Sequence, residues 1–363
     1  MNKKTIYVAV IGCGRIAGHH CRSIKNVEGV ELVAVCDLIL SKAEAYGTEF
    51  GVPFYTDYNE MLIKHPQIDT VAIVTPSGMH FEHSKEIMLT YKKNIIVEKP
   101  TFLKISHAKE AFDIADSLGL QIFPVFQNRH NLAVTRVRDA IANGELGKVR
   151  LASIRVRWCR PQRYYDLAEW RGTFAMDGGA LTNQGIHHID LLRNLGGEVE
   201  KVCSTMRTLG AEIEVEDSGT AVIQYKSGAI GNLEITTAAR PDDFEASISL
   251  VCEKGLAQIG GIAVNELQIF TPDPSACKVN SEDFSGNVYG HGHGEIYKNI
   301  VDFFRLGKIF PVSKDDCLGT LKLLHSFYVS QEQKNWIEVE KGLESANLGR
   351  SDETLANLYR TKK

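Results

Sequence analysis

Short apolar runs alternate with stretches of helical period through the first third of the chain. The runs have no polar face, which is typical of strands buried on both sides of a parallel sheet. They predict strands at 5–11, 31–36, 69–74, 95–97 and 120–125. Between them the spacing predicts helices ending near 26 and at 41–50, 58–64, 81–90 and 103–118. Repeated β-α units of this length predict an α/β fold with a doubly wound parallel sheet.

After about residue 128 the apolar positions alternate with a period of two, as in strands that have one buried face. We expect a second, α+β domain built on an open and mainly antiparallel sheet. Its predicted strands lie at 149–158, 199–208, 217–225, 229–237, 246–252, 256–259, 266–270 and 336–339, and its helices at 131–143, 178–192, 295–305 and 315–332. The predicted domains are 1–128 and 129–340, followed by a polar tail at 341–363. One face of the second sheet needs covering, which self-association would provide.

Composition narrows the range of functions. The chain has 363 residues, of which 44% are hydrophobic and 24% charged, as expected for a globular protein of about two domains. A net charge of -4 favours neither nucleic acid nor an anionic membrane surface as a partner. No apolar stretch is long enough to span a membrane, and the N-terminal residues lead into a strand rather than a signal peptide. The cysteines form no Cys-x-x-Cys spacing, so we expect free thiols in a cytoplasmic protein.

A glycine-rich turn joins the first strand to the first helix. It contains Gly12, Gly14, Arg15, Ile16 and Ala17, and its G-x-G-x-x-A spacing is typical of a Rossmann dinucleotide site. Gly12 permits the turn, Gly14 lets a pyrophosphate approach the backbone, and Ala17 lets the helix pack on the strand. The helix N-terminus then offers free N–H groups to the phosphates.

An acidic residue, Asp37, ends the second strand at the distance expected for binding the ribose hydroxyls of an adenosine. It would repel a 2′-phosphate, and Lys42 is the only nearby cation, so we predict NAD rather than NADP as cofactor. The alternative is a glycine turn that binds no nucleotide.

The fourth apolar run ends in Glu98-Lys99-Pro100, at the edge of the sheet where ligands bind in open α/β folds. The carboxyl ends of the parallel strands share this edge, which gathers Gly12, Asp37, Thr75, Pro76, Glu98, Lys99 and Gln127. We therefore expect these residues to line one cleft. The alternative for Glu98 and Lys99 is a surface ion pair.

The helix predicted at 178–192 places Asn183, His187 and Asp190 at i, i+4 and i+7, hence on one face. We expect Asp190 to fix the tautomer of His187, as an orienting group does for a base. The alternative is a structural histidine. We predict no metal site, because neither His19-His20 nor His291-Gly292-His293 has a convincing ligand spacing.

Arginines and aromatic residues are concentrated between 155 and 171. Arg155 and Arg157 share one strand face, and Arg160, Tyr164 and Arg171 follow. Guanidinium groups suit carboxylate or phosphate, and aromatic rings can stack on a sugar or base. The alternative is a polar strand edge with a solvated loop.

Four motifs together resemble the glucose–fructose oxidoreductase, inositol dehydrogenase and rhizopine-catabolism (Gfo/Idh/MocA) family of sugar oxidoreductases. They are Gly12-x-Gly14-x-x-Ala17, Thr75-Pro76-x-x-x-His80, Glu98-Lys99-Pro100 and Gly185-x-His187-x-x-Asp190. The resemblance implies that Lys99 and His187 flank the reacting carbon, that NAD lies over the strand edge near Thr75, Pro76, His80 and Glu98, and that a homodimer or homotetramer forms through the open sheet.

One departure narrows the resemblance. Many members have aspartate four residues before the histidine, whereas this chain has Asn183. The branch that oxidises C3 of UDP-linked N-acetylglucosaminuronic acid, in lipopolysaccharide sugar synthesis, also has asparagine there, and the segments around Arg157 and Arg171 resemble that branch. It implies that Lys99 accepts the proton and that Glu98 positions the lysine. It further implies that His187 hydrogen-bonds the reacting or the adjacent hydroxyl, that Asn183 orients the His187 ring and lines the substrate site, and that the arginines hold the diphosphate and the uronate. Alternatives are an NAD-dependent dehydrogenase of a free sugar or inositol, an NAD-dependent glycosidase and a non-catalytic NAD-binding protein.

Overall fold

The computed structural model describes residues 5–284 and 289–361, which form two compact units. Unit 1 contains the described parts of 1–125, 293–318 and 351–363, and unit 2 contains those of 126–292 and 319–350. No helix in the described ranges is both long enough and apolar enough to span a membrane.

The sheet of unit 1 is parallel and has six strands. These are β1 Ile6–Ile11, β2 Val30–Cys36, β3 Phe54–Tyr55, β4 Thr70–Ile73, β5 Asn94–Val97 and β6 Ile122–Pro124. Their order, β3-β2-β1-β4-β5-β6, confirms the predicted doubly wound fold. The two-residue strand β3 was not predicted, since it is too short to show a pattern. Connections run in opposite directions from β1, so the ends of β1 and β4 border the crevice where ligands bind in such folds.

The sheet of unit 2 is mixed and has eight strands. These are β7 Val149–Arg157, β8 Val199–Arg207, β9 Ser218–Tyr225, β10 Ile230–Thr236, β11 Glu245–Cys252, β12 Leu256–Gly260, β13 Glu266–Phe270 and β14 Ile337–Glu338. Their order is β13-β12-β11-β7-β10-β9-β8-β14. Among the strands that the structure describes in this sheet, only β7 and β10 pair in parallel, which agrees with the mainly antiparallel sheet predicted.

Most helices follow the predicted bounds. In chain order they are α1 Ala17–Asn26, α2 Leu40–Phe50, α3 Tyr58–Lys64, α4 His80–Glu86, α5 Ile105–Leu118, α6 Leu132–Ala142, α7 Gln162–Tyr165, α8 Ala180–Asn183, α9 Ile186–Gly196, α10 Ala276–Val279, α11 Gly292–Leu306, α12 Lys314–Gln333 and α13 Glu353–Ala356. Four further turns lie at Ser77–Met79, Ile87–Tyr91, Gln127–His130 and Val339–Lys341. The start of helix α3 is set by a local hydrogen bond. The Asp57 carboxylate caps the helix by accepting from the Asn59 N–H at 2.8 Å.

The two faces of the unit 2 sheet differ. Alternate residues of β7, such as Ile154 and Val156, are buried on the face that packs against α9. The opposite face carries a row of exposed apolar side chains that are neighbours across four adjacent strands: Ile230, Leu151, Val251 and Leu256. Cross-strand neighbours of this kind form a continuous surface.

The predicted division at 128 and 340 differs from the observed units. Residues 293–318 belong to unit 1 because Ile296, Tyr297 and Ile300 of α11 are buried there. The segment 341–363 was predicted as a tail, yet Leu355 is buried and the Arg360 guanidinium binds the Glu82 carboxylate at 2.6 and 2.7 Å. A helix of four residues, such as α13, is too short to give a recognisable period.

Candidate active site

The glycine turn after β1 is shaped by close contact with the backbone that directly follows β4. Gly12 has φ of +96°, and a Cβ there would lie 2.5 Å from the Val74 carbonyl oxygen, so only glycine fits. At Gly14 a Cβ would meet no atom within 4 Å, so this side of the turn faces open space. Arg15 and Ile16 follow in the turn, and the buried Ala17 begins α1. The open backbone fits a pyrophosphate.

Asp37 is half-buried at the end of β2 and joins two loops. Its Oδ2 accepts the Cys13 N–H at 2.8 Å, and its Oδ1 accepts the Ile39 N–H at 2.9 Å. Directly after it, Leu38, Ile39 and Leu40 are exposed. The three exposed apolar residues are thus next to Asp37, the predicted ribose-binding residue, and this apolar run is visible in the sequence.

His80 connects the loops that follow β4 and β5. Its Nδ1 lies 2.9 Å from the Pro100 carbonyl oxygen and its Nε2 lies 3.0 Å from that of Thr75. The ring is buried, and burial lowers the pKa of His80. Both ring nitrogens thus contact the backbone. These contacts hold the half-buried Thr75 and Pro76 in place, and the predicted contact of His80 with the cofactor stays a prediction.

Glu98 is the centre of a buried polar cluster that sequence reasoning missed. Its Oε1 accepts from His20 Nε2 at 3.0 Å and from His293 Nε2 at 3.2 Å, and its Oε2 accepts the Lys99 backbone N–H at 2.9 Å. The Tyr297 hydroxyl lies 2.8 Å from His20 Nδ1. Burial raises the pKa of Glu98, but the hydrogen bonds from His20 and His293 outweigh this and hold the pKa well below its usual range.

The half-buried Lys99 directly follows this carboxylate at the end of β5. The surface ion pair considered from the sequence is therefore wrong for Glu98, which is 5% exposed and faces two histidines. Potential ligand atoms of His20, Glu98 and His293 lie within 4.8 Å of one another. No spacing rule could have indicated this set, since His293 is 195 positions from Glu98.

The predicted helix over 178–192 is interrupted. α8 ends at Asn183 and α9 begins at Ile186, because the Gly185 N–H bonds back to the Ala180 carbonyl at 2.8 Å. Glycine in a helix interior costs about 1 kcal/mol relative to alanine, which favours such a break. Asn183, His187 and Asp190 therefore do not form one regular helical stripe.

Asp190 does not orient His187 in the way predicted. Both of its oxygens are occupied by Arg129, whose Nε and Nη2 donate at 2.7 Å each, and Oδ1 also accepts the Thr320 hydroxyl at 2.9 Å. A guanidinium group can donate two parallel hydrogen bonds to one carboxylate, which explains why Arg129 binds both oxygens of Asp190.

Asn183 has a partner that the sequence did not reveal. Its side-chain Nδ2 donates to Oδ1 of the buried Asp177, whose Oδ2 accepts the Gly172 N–H at 2.8 Å. The amide of Asn183 is thereby held in one orientation. His187, at the start of α9, is 7% exposed, and its ring lies edge-on to that of Phe126 with centroids 6.1 Å apart.

Three of the predicted substrate residues lie together in unit 2. The Arg171 Nη1 donates to the Tyr164 hydroxyl at 2.6 Å, and both guanidinium groups lie over the Tyr164 ring, Arg171 at 4.4 Å and Arg160 at 5.5 Å. Arg160 also pairs with Asp243 at 2.8 Å. Gln184 Nε2 donates to the same hydroxyl at 3.3 Å, which connects this arginine cluster to the residue after Asn183.

Arg157 is placed elsewhere. It lies on the sheet face opposite to the buried Val156, and its guanidinium pairs with Glu234 at 2.6 Å and with Glu245 at 3.5 Å. Because successive side chains of a strand point to opposite faces, Arg157 points away from the face that packs on α9, the helix that carries His187. Two carboxylates account for this arginine without a ligand.

Gln127 lies at the beginning of unit 2, in the short turn Gln127–His130. It is buried, and its Oε1 has no hydrogen-bond partner among residues 5–284 and 289–361. A buried amide oxygen without a partner is available to a ligand donor, as the predicted cofactor contact requires.

Comparison with known protein families identifies the family of this chain. Residues 6–126 match the model of the oxidoreductase family with an NAD-binding Rossmann fold, and residues 134–258 match the GFO/IDH/MocA C-terminal domain. The chain belongs to the GFO/IDH/MocA family. As a member of this family it is an NAD-dependent sugar or polyol oxidoreductase, which confirms the predicted cofactor and enzyme class.

Two solved structures and one sequence relative extend the comparison. The WlbA dehydrogenase from Bordetella pertussis, in complex with NADH and UDP-GlcNAcA, is 32% identical, with a TM-score of 0.86 over 93% of this chain and 99% of that one. WlbA from Chromobacterium violaceum, with the same ligands, is 33% identical, with a TM-score of 0.85 over 93% and 97%. The D-glucoside 3-dehydrogenase of Escherichia coli K12 is 27% identical over 66% of this chain and 72% of its own.

Proposed function

We propose that this enzyme uses NAD to oxidise the C3 hydroxyl of UDP-linked N-acetylglucosaminuronic acid, in the synthesis of a bacterial surface polysaccharide. The observation that carries the proposal is the arginine cluster of Arg160, Tyr164 and Arg171. Two guanidinium groups held over one aromatic ring suit a substrate with anionic groups and a sugar or base to stack on. The likeness to two dehydrogenases crystallised with UDP-GlcNAcA supports the same substrate class.

The residues proposed to hold NAD fit a dinucleotide. The open backbone from Gly14 to Ile16 would take the pyrophosphate, and Asp37 would accept from the ribose hydroxyls. Thr75, Pro76, Glu98 and Gln127 are proposed to complete the site, with His80 supporting it through the backbone. When bound, NAD supplies the acceptor for the hydride that leaves the substrate carbon.

Lys99 is proposed to take the proton of the substrate hydroxyl. Its backbone N–H is fixed by the Glu98 carboxylate, so the start of its side chain has a defined position at the end of β5. Glu98 is a poor candidate for the base itself, because three hydrogen bonds stabilise its charged form. A positioned acid or base of this kind typically contributes about 10²- to 10⁴-fold in rate.

His187 and Asn183 are proposed to bind hydroxyl groups of the sugar. Asp177 holds the Asn183 amide in one orientation, which is what a specificity contact to a hydroxyl needs. Arg160 and Arg171 are proposed to bind the diphosphate and the uronate carboxylate. Arg157 is left out of this proposal because it lies on the other sheet face, paired with two carboxylates.

We also propose that the protein forms a homodimer or homotetramer through the open face of the unit 2 sheet. The cross-strand row of Ile230, Leu151, Val251 and Leu256 supports this, since exposed apolar side chains in one continuous strip favour burial against a second copy.

The test is turnover of UDP-N-acetylglucosaminuronic acid by the purified protein, followed through NADH absorbance and through the mass of the sugar product. Adding 2-oxoglutarate shows whether enzyme-bound NADH is recycled. Faster oxidation of UDP-N-acetylglucosamine, of a free glucoside or of myo-inositol would overturn the substrate while leaving the dehydrogenase class intact.

Lys99→Met should lower turnover by about 10²-fold or more while NAD binding, measured by calorimetry, persists. Lys109→Met, an exposed lysine on α5, is the matched control and should behave as wild type. Near-normal activity of Lys99→Met on the substrate would exclude Lys99 as the base.

A further inference from the structure

We infer that Tyr297, His20 and His293 are positioning residues of the dehydrogenase reaction: the phenol fixes His20 as its Nε2–H tautomer, and the two imidazoles hold Glu98 as an anion behind Lys99. The inference rests on the proposed role of Lys99, whose backbone N–H binds the same carboxylate.

Burial makes the hydrogen-bond donors necessary. Glu98 is 5% exposed, His20 1%, His293 2% and Tyr297 0%, so water cannot solvate the carboxylate. A carboxylate in such surroundings either takes up a proton or finds donors in the protein. Here Oε1 has two imidazole nitrogens at 3.0 and 3.2 Å, and Oε2 has the peptide N–H at 2.9 Å.

The proton positions of this chain follow from what each group can donate or accept. Tyr297 has a buried hydroxyl whose one acceptor among the described residues is His20 Nδ1, at 2.8 Å. The phenol therefore donates, and Nδ1 carries no proton. A neutral imidazole then has its proton on Nε2, pointing at Glu98 Oε1. Burial lowers the pKa of His20, which agrees with a neutral ring.

A metal ion is the competing explanation for two histidines and a carboxylate whose ligand atoms lie within 4.8 Å of one another. An ion would take the Nε2 lone pair of His20 and move its proton to Nδ1. That proton would point at the Tyr297 oxygen, and the phenol proton would lose its one acceptor in the described part of the chain. Without an ion, the phenol proton of Tyr297 bonds to His20 Nδ1 and the Nε2 proton of His20 bonds to Glu98, so both donors have acceptors.

Other titratable groups surround the cluster. The His19 ring lies 5.9 Å from that of His293, and the charged forms of His80 and Cys21 interact electrostatically with Glu98 and Tyr297 respectively. Burial lowers the pKa of His19 to about 4, so this ring is neutral at neutral pH. Burial also lowers the pKa of His80, whose two ring nitrogens face backbone carbonyl oxygens rather than Glu98. Burial raises the pKa of the Cys21 thiol to about 12, so it too is uncharged.

The first experiment needs no substrate. In the ¹⁵N spectrum of the histidine-labelled full chain, the His20 signals, assigned by their loss in His20→Gln, should show a neutral ring protonated at Nε2 at neutral pH. An imidazolium signal, or a ring protonated at Nδ1, overturns the inference. So does a transition metal that copurifies in stoichiometric amount and is lost in His293→Gln.

The second experiment measures the reaction. His20→Leu removes the donor to Glu98, whereas His20→Gln keeps an amide N–H near the position of Nε2. We expect kcat to fall about 10- to 100-fold in His20→Leu, with NAD affinity retained, and to recover most of this loss in His20→Gln. Equal kcat values for the two variants would contradict the positioning role.

Tyr297→Phe serves if His20→Leu does not fold, since it keeps the ring and its packing. It should lower kcat and shift the Nδ1 signal of His20. Tyr91→Phe is the matched control, because it also removes one hydroxyl hydrogen bond, which Tyr91 donates to Asn59 at 2.7 Å. This variant should leave kcat and the Nδ1 signal of His20 unchanged. If no substrate is turned over, the proposed function fails while the tautomer and metal measurements still decide the inference.

Discussion

Replacing Asp190 by asparagine removes one charge from a buried ion pair and leaves its partner in place. Asp190 and Arg129 have side chains that are 1% and 5% exposed, and two hydrogen bonds of 2.7 Å join them. Removing one partner of such a pair typically costs about 3–5 kcal/mol, because the remaining charge stays buried. Asparagine keeps one acceptor oxygen for the guanidinium and for Thr320, so we expect about 3 kcal/mol.

This loss is large against the total stability of a domain, which is about 5–15 kcal/mol. Denaturation in urea, followed by tryptophan fluorescence, measures the free energy of unfolding of unit 2. The signal reports on this unit because Trp158, Trp170 and Trp336 all lie in it. The expected change lowers the ratio of folded to unfolded unit 2 by roughly two orders of magnitude.

Two controls isolate the charge. The double variant Arg129→Met with Asp190→Leu has no buried ion and should regain most of the lost stability. Arg136→Gln breaks a more exposed pair with Glu145 and should cost no more than about 1 kcal/mol. The reasoning is refuted if Asp190→Asn costs no more than Arg136→Gln, or if the double variant is as unstable as the single one.

Three further outcomes are expected. Gly12→Ala should abolish NAD binding in calorimetry without unfolding unit 1 completely, because the new Cβ would lie 2.5 Å from the Val74 carbonyl oxygen and shift the turn. An unchanged affinity for NAD would contradict the proposal that this turn binds the cofactor. Burial raises the pKa of Glu216 from 4.5 to about 7, so the native state keeps a proton that the unfolded chain has released in this window. Stability should therefore fall by about 3 kcal/mol as pH rises through the window, and thermal melting of Glu216→Gln should show a flatter pH profile. If the proposed oligomer forms, Val251→Glu should dissociate it in size-exclusion chromatography, and an unchanged elution volume would exclude this face as the interface.

Patterns that depend on neighbouring residues could be predicted from the sequence. The apolar runs at β4 and β5 and the alternation along β7 gave the correct sheet types, because burial on both faces or on one face leaves a direct trace in the order of residues. The glycine turn was equally readable, since Gly12 reflects a backbone angle that other residues rarely adopt.

Features that depend on tertiary pairing were not readable. Periodicity placed Asp190 and His187 near each other on a helix, but it carries no information about Arg129, which comes from another element and binds both oxygens of Asp190. The position of Arg157 on one strand face was correct, yet sequence alone did not show which face meets α9 or that Glu234 of the neighbouring strand pairs with Arg157.

The donors of Glu98 also have a consequence for the order in which the protein is made. Glu98 leaves the ribosome long before His293, 195 positions later, supplies its second imidazole. Segment 293–318 of unit 1 is made after most of unit 2, and segment 351–361 follows β14, the last strand of the unit 2 sheet. The unit that begins the chain is thus the last to be finished, and a nascent fragment ending near residue 128 carries a carboxylate that still lacks part of its hydrogen-bond shell. During translation, Glu98 must remain accessible to water or protonated until His293 has been synthesised and packs against it.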